Sequence, residues 1–307
     1  MESLLETRFQ FPGQTAFYRG KVRDVYTIRD QYLVMITTDR ISAFDVVLPK
    51  PIPYKGAILN QMAEFFLEAT KHAVPNWVLS VPDPRVTIGW KCDSIPIEMI
   101  VRGRLSGSAW RAYHEGKREL CGVSMPEGLK ENDPFPQAIL TPTTKAAEGH
   151  DQEISRREIL DRGIVSEKIY SQMEAYALKL FSMGVQMAEK RGLILVDTKY
   201  EFGLREGKVC VIDEIHTPDS SRYLYQEGLR PLSKEFVRQW LMERGFQGRG
   251  GEKIPEMPES FVKQVSERYL ELYQIMIGEL PKGSTSSLEK NVNKALSVIP
   301  LSAGIQF

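Results

Sequence analysis

Apolar positions recur every second residue in parts of the first hundred residues and with a helical period in much of the remainder. "FYRGKVRDVYTIRDQYLVMITTD" predicts two strands, over residues 22–28 and 32–37, joined by a short turn at 29–31. In "ILNQMAEFFLEATK", Leu59, Met62, Phe66 and Ala69 fall on one face of a helix. "IPIEMIVRGRL" predicts a buried strand that begins after Pro96. Residues 121–151 are dense in Pro, Gly, Asn and Thr and read as a long loop region holding one short strand. Loops of that length in compact proteins tend to be functional. Ser155 with Glu158 forms a capping box for a short helix. A long helix is expected over residues 166–191, stopped by Gly192, with an apolar stripe of Ile169, Met173, Tyr176, Leu180, Met183 and Met187. Two further helices follow Ser233 (Phe236, Trp240, Leu241) and Pro258 (Phe261, Val265, Leu272, Met276). "GFQGRGGEK" between them lacks the Gly-Lys-Ser/Thr ending of a phosphate loop and reads as a connector. From Lys282 the chain opens as a linker and then gives no readable period.

One hairpin breaks the apolar rule. "ILVDTKYEFGL" and "VCVIDEIHTPDSSR" have the composition of buried strands, yet carry Asp197, Lys199, Glu201, Asp213 and Glu214. Such groups rarely go inside without partners. Residues two apart in a strand share a face, so Asp197, Lys199 and Glu201 project together, opposite Thr198, Tyr200 and Phe202. Asp213 joins them if the loop is odd, for example Arg205-Glu206-Gly207 with Gly207 left-handed. An even loop separates it from Glu201. Two carboxylates flanking a lysine suit a divalent ion on phosphates, with the lysine offsetting a further anion. The plain alternative is a surface strand whose charges face water.

Other segments add chemistry. In "IPIEMIVRGRLSGS", Arg102 and Arg104 share a strand face and Ser106, Gly107 and Ser108 follow, a combination that suits a phosphate clamp or a solvated strand end. "RGKVRD" offers one glycine and Lys21 at a hairpin; "TTDRISAFDV" puts Asp39 and Asp45 either side of Ser42 and Ala43. His72, His114, His150 and His216 show no metal-ligand spacing, and no nucleophile elbow or protein-kinase signature is present.

Composition narrows the class. A chain of 307 residues, 42% hydrophobic and 26% charged, can build one large domain or two ordinary ones and argues against wholesale disorder. Forty basic and forty acidic side chains cancel, so no global field draws in nucleic acid or an anionic membrane. Cys92, Cys121 and Cys210 are odd in number and widely spaced, which excludes a disulfide framework and a Cys-x-x-Cys metal site and fits a reduced, cytoplasmic setting. Neither a secretory signal nor an apolar run near the ~20 residues of a membrane helix is visible.

Taken together, "GKVRDVY", "TTDRISAFDVVLP", "KGAILNQMAEFF", "IPIEMIVRGRLSGS", "LTPTTKAAEGHD", "ILVDTKYEFG" and "DEIHTPDSSR" resemble, in order, the phosphoribosylaminoimidazole-succinocarboxamide synthase (SAICAR synthetase) family over residues 15–280. The resemblance implies an α+β, two-lobe fold similar to protein kinases, with a β-rich nucleotide-binding lobe over residues 1–100 and a larger lobe over 101–307. It implies ligation of L-aspartate to the carboxylate of the carboxyaminoimidazole ribonucleotide (CAIR), using ATP and Mg2+, through an acyl phosphate. By the same resemblance, Glu201 and Asp213 would hold magnesium on the ATP phosphates, and Lys21 and Lys145 would lie at the nucleotide. The strand at Glu98, Met99 and Val101 would give backbone contacts to adenine. Arg102 and Ser108 would take the CAIR phosphate, Asp197, Asp219 and Arg222 would surround the imidazole nucleotide, and Asp39, Ser42 and Asp45 would stand at the substrate end. Lys199 would orient the CAIR carboxylate and, with Lys21, act in catalysis. Expected partners are these small molecules alone, with oligomeric state left open. A small-molecule kinase of the same fold is the rival reading, and a non-catalytic nucleotide-binding module the third.

Overall fold

Period-two patterning builds two antiparallel sheets. In the computed structural model, which describes residues 3–145, 152–232 and 234–299, the chain opens with β1 (Gln14–Arg19), β2 (Arg23–Ile28) and β3 (Tyr32–Thr37). The two-residue strands β4 (Ser42–Ala43) and β5 (Val46–Val47) precede helix α1 (Lys55–Thr70), and β6 (Val78–Asp83) and β7 (Val86–Trp90) complete a sheet of order β1-β2-β3-β7-β6. Only Lys91 and Cys92 separate it from β8 (Asp93–Arg104), the first strand of the second sheet. Then come α2 (Gly107–His114), β9 (Glu119–Leu120), β10 (Val123–Ser124), β11 (Pro134–Leu140), β12 (Thr143–Thr144), α3 (Arg156–Asp161) and α4 (Glu167–Glu189). The charged hairpin is β13 (Leu193–Arg205) and β14 (Lys208–Ile212), followed by β15 (Ser221–Tyr225), α5 (Glu235–Met242), α6 (Glu259–Ile277) and α7 (Leu288–Val298). The second sheet runs β11-β8-β13-β14, with β12 on β8 and β15 on β13.

The local signals mostly hold. Ser155 caps α3 with the reciprocal Glu158 bond, and Ser166 accepts the Ile169 N–H at the start of α4. The strand expected to begin after Pro96 begins at Asp93 instead. The β8–β13 register shifts between Glu201 and Gly203, opposite Pro96, and such a bulge tolerates a residue without an N–H. The buried stripe of α4 is also rotated from the expected one: Tyr170, Met173, Ala177, Leu180, Phe181, Gly184 and Ala188 are inside, while Ile169, Tyr176, Met183 and Met187 are only partly covered. Small residues are what let the helix lie close on β13, a preference that hydrophobicity alone does not reveal.

Packing does not divide the chain at residue 100, which lies inside β8. The large core joins the second sheet to α1, α4 and α6, and it takes in Ile41, Leu48, Ile52 and Val74 from the early chain. The smaller core lies against the first sheet (Phe11, Tyr26, Val34, Ile36, Ile88) and recruits Val292 and Leu296 from α7. The tail that gave no readable period thus supplies a helix that closes the first sheet, tied there by Asn291 to Asp83 at 2.9 Å. The end of the "LTPTTKAAEGHD" motif, His150, Ser233 and residues 300–307 lie outside the described residues.

Candidate active site

A cleft of about 930 Å³ is lined by the first sheet, the central strands of the second and the loops after them. Its floor follows from period two. Thr198, Tyr200 and Phe202 are buried, Tyr200 and Phe202 within the large core, while Asp197, Lys199 and Glu201 face the cleft. Opposite them in β8 stand Arg102, Ile100 and Glu98. Asp213 reaches this floor by a route other than an odd loop. Arg205 pairs with Lys208, so the loop is the two residues Glu206 and Gly207, both at positive φ (51° and 74°), as a primed hairpin turn requires. In that register Glu201 faces Ile212, and Asp213 would turn away. Instead β14 ends at Ile212, and Asp213 at φ 62° swings the chain so that its carboxylate lines the cleft.

The floor is an alternating charge lattice. Lys199 bonds both Glu98 and Glu201 (2.8 Å to Glu201), and Lys145 bonds the other Glu201 oxygen. Burial would raise the Glu201 carboxyl, but the two lysines overcome it and hold it down to about 2; the same acids raise Lys199. Asp213 is different. Burial pushes it up to about 6, against the pull of Arg23 and with the repulsion of Glu201 and Glu214. Arg23 bridges Asp213 (3.1 Å to Oδ1) and Glu214 (2.7 Å), but its approach to the buried Oδ1 is an ion pair not aligned as a hydrogen bond, which leaves that oxygen's lone pairs open. Such a carboxylate beside Glu201 fits a divalent cation, which would relieve both burial and repulsion. Among the described residues no three His, Cys, Asp or Glu converge on one point. The pair Glu201 and Asp213 matches the Mg2+ habit of one or two carboxylates with substrate phosphates completing the shell.

The other end is basic. Arg102 (3.4 Å) and Arg222 (2.7 Å) both meet Asp197, and Arg102 donates to Thr141 and Ser108. Arg222, Arg238 and Arg111 surround Glu235 at 3.0, 3.1 and 3.6 Å. Four guanidiniums against two carboxylates leave a formal excess of positive charge. Beside them Asp219 accepts from Tyr269 (2.6 Å) and pairs with Lys55 (2.9 Å) and Lys234 (3.3 Å). Burial opposes ionisation of Asp219, but Lys234 and Lys55 keep it far below the usual carboxylate range; burial lowers Lys234 to about 8.

Most expected residues meet here: Lys21, Ser42, Asp45, Glu98, Arg102, Ser108, Lys145, Asp197, Lys199, Glu201, Asp213, Asp219 and Arg222 all line the cleft. Lys21 bonds Asp45 at its mouth. Three do not line it. Met99 and Val101 are buried on the far side of β8, and their backbone lies mid-sheet, opposite Tyr200 and Thr198 of β13, so the expected adenine contacts are not offered there. Asp39 is fully buried, 2.9 Å from Arg85 and accepting from the N–H groups of Leu4 and Gly56, a fold-holding role rather than a substrate one. Lys55, Lys234, Glu235, Arg238 and Arg111 were missed, because each is an ordinary helix charge in sequence and only the tertiary fold aims it. No local signal marks Lys55, since the run after it also carries Asn60, Gln61 and Glu64.

Comparison with known proteins converges on one family. The SAICAR synthetase family model matches residues 16–253. A phosphoribosylaminoimidazole-succinocarboxamide synthase of Bacteroides fragilis is 56% identical over 306 residues, covering 96% of this chain and 98% of its own. That of Cytophaga hutchinsonii is 56% identical, with 96% and 100% covered. Among solved structures, the SAICAR synthase of Saccharomyces cerevisiae in complex with SAICAR superposes with a TM-score of 0.77 at 32% identity, over 91% of this chain and 99% of that one. A SAICAR synthetase in complex with ADP gives 0.70 at 26%, over 87% and 100%.

Proposed function

The chain belongs to the SAICAR synthetase family and is a ligase of purine biosynthesis, and from that premise we propose that it uses ATP to join L-aspartate to CAIR through an acyl phosphate. The observation that carries this reading is the arrangement of one cleft floor. A Lys145–Glu201–Lys199–Glu98 lattice beside Asp213 stands at one end, and an arginine cluster on Asp197 and Glu235 at the other. The first suits a polyphosphate and the second the ribose phosphate of CAIR. A reacting carboxylate between them would lie over Lys199.

An unactivated carboxylate does not accept an amine, because oxide would have to leave. Transfer of the γ-phosphoryl group to a CAIR carboxylate oxygen, with ADP departing, converts that oxygen into a phosphate leaving group. The aspartate amine then attacks the acyl carbon and inorganic phosphate leaves. The first step brings two anions together, and most of its catalysis is positioning and charge compensation. Lys199, kept protonated by Glu98 and Glu201, would orient the carboxylate; Lys145, and Lys21 on exchanging Asp45 for phosphate, would offset the polyphosphate charge. Glu201 and Asp213 would hold magnesium, which when bound supplies neutralisation of the phosphate oxygens. Arg102 and Ser108 would grip the CAIR phosphate, with Asp197 holding both Arg102 and Arg222, and Asp219 and Arg222 would close around the imidazole nucleotide.

Release of ADP from magnesium-ATP, CAIR and L-aspartate, with each omitted in turn, tests this. ADP and a succinylated product only in the complete mixture are expected. Phosphorylated CAIR formed equally well without aspartate, and no succinylated product with it, would replace the ligase by a small-molecule kinase.

A further inference from the structure

Two cysteines 118 positions apart in the chain meet at the end of the cleft floor: Cys92 Sγ and Cys210 Sγ are 3.4 Å apart. The strand pattern explains the meeting. Along the cleft face of β13, the residue after Asp197, Lys199 and Glu201 is Gly203, whose cross-strand partner is Cys210. Gly203 has no side chain, and a Cβ there would come within 2.8 Å of Cys92 Cβ, so the glycine leaves the space the thiols share. Cys92 is half-buried and lines the cleft, in the two-residue connection between the sheets, while Cys210 is buried on the strand leading to Asp213.

We propose that Cys92 and Cys210 form a redox modification site: hydrogen peroxide oxidises Cys92, Cys210 resolves it, and the resulting disulfide fastens the inter-sheet connection to β14 and slows turnover. The two thiols are chemically unequal. The hydrogen bond from Cys210 lowers Cys92, and Arg205, whose guanidinium lies on the Trp90 ring, adds to this; the same bond and burial raise Cys210. Thiolate character falls on the sulfur that solvent reaches, as a peroxide-sensing pair requires. Cys121 makes the contrast. It stands apart, donates to the Pro142 carbonyl and is pushed up to about 11 by burial.

The steps balance. The Cys92 thiolate attacks one peroxide oxygen; an S–O bond forms, the O–O bond breaks and hydroxide leaves, so sulfur is oxidised and peroxide reduced. Cys210 then attacks the Cys92 sulfenic sulfur; the S–S bond forms, the S–O bond breaks, and water leaves with the Cys210 proton. Bonding the two sulfurs, now 3.4 Å apart, ties the connection to β14 at the junction of the two walls of the cleft.

The test is peptide mapping of the full chain under non-reducing conditions after hydrogen peroxide treatment. We expect one new linked pair, Cys92 with Cys210, lighter by two hydrogens, with Cys121 still open to alkylation. Cys210→Ser should leave a sulfenic acid on Cys92 that dimedone captures, and Cys92→Ser should abolish the linkage. Turnover of the oxidised protein should fall about five-fold or more and return with dithiothreitol. Oxidation of Cys121 ahead of Cys92, or a Cys92 sulfinic acid with no linkage, would overturn the site. Full linkage with unchanged turnover would overturn the control of activity. The effect on turnover rests on the ligase reading, whereas the linkage is read by mass and stands or falls without it.

Discussion

Gly107 leaves the space that the Arg222 guanidinium occupies: a Cβ built on it would lie 2.4–2.9 Å from three atoms of that group. The glycine also starts α2 at φ 58°, where other residues are strained by about 1–2 kcal/mol. Arg222 is in turn held by Asp197 at 2.7 Å and Glu235 at 3.0 Å. Gly107→Ala should therefore displace the arginine without emptying the core. A charge-assisted hydrogen bond contributes about 1.5–3 kcal/mol, so the KM for CAIR should rise roughly ten- to hundred-fold while the KM for ATP changes little. Equal rises in both, in steady-state kinetics, would detach Arg222 from the ribonucleotide.

Glu201→Gln keeps the volume and removes the charge that Lys199 and Lys145 share. Loss of one designed charge in such a site commonly costs about 10²–10³ in rate, so kcat should fall by at least that order. Lys199 retains Glu98, and Lys145 is nearly half exposed, so neither is stranded. The stability cost should stay near 1–3 kcal/mol, visible as a Tm lower by several degrees. A variant that is unfolded at room temperature would make the acids structural first and catalytic second.

What could be read from the chain was whatever depends on neighbours in sequence. The shared face of Asp197, Lys199 and Glu201 needs only the period of a strand, and the capping box of Ser155 with Glu158 spans only four residues. Asp213 was legible as a site residue but not as geometry, because a single positive φ replaced the parity rule. The α4 stripe escapes the hydrophobic pattern because Ala177, Gly184 and Ala188 serve closeness, not hydrophobicity. Lys55, the meeting of Cys92 with Cys210, and the docking of α7 depend on contacts spanning more than a hundred residues, which no local pattern encodes.

Gly184 shows what that closeness serves. A Cβ there would meet His216 Cε1 at 2.6 Å, Nε2 at 2.8 Å and Leu195 Cδ2 at 2.9 Å. The imidazole is wedged between α4, the ring of Phe66 at 4.9 Å and the hydroxyl of Tyr200 at 2.6 Å from Nε2. Overpacking a core costs about 1–3 kcal/mol, and here the obstacle is a ring with nowhere to turn. Gly184→Ala should lower the urea midpoint accordingly, although alanine is the better helix former by about 1 kcal/mol. An unchanged or higher midpoint would mean that the ring moves aside freely.

The same imidazole should set part of the acid limb of stability. Burial alone lowers His216 to about 3, whereas the unfolded chain titrates near the ordinary value of 6.5. Between those values the unfolded state binds a proton that the folded state refuses, so stability falls as pH drops below 6.5. The loss should reach about 2 kcal/mol by pH 5 and continue at about 1.4 kcal/mol per pH unit until the folded state also takes the proton near pH 3. Asp213, pushed up to about 6, takes up its proton in the folded state first and so works in the opposite sense over part of the same window. The assignment therefore rests on comparing urea unfolding at several pH values for the wild type and His216→Phe, which keeps an aromatic ring but cannot titrate. The wild type should lose about 2 kcal/mol more than the variant between pH 7 and pH 5. Parallel curves would place the acid sensitivity in the carboxylates instead.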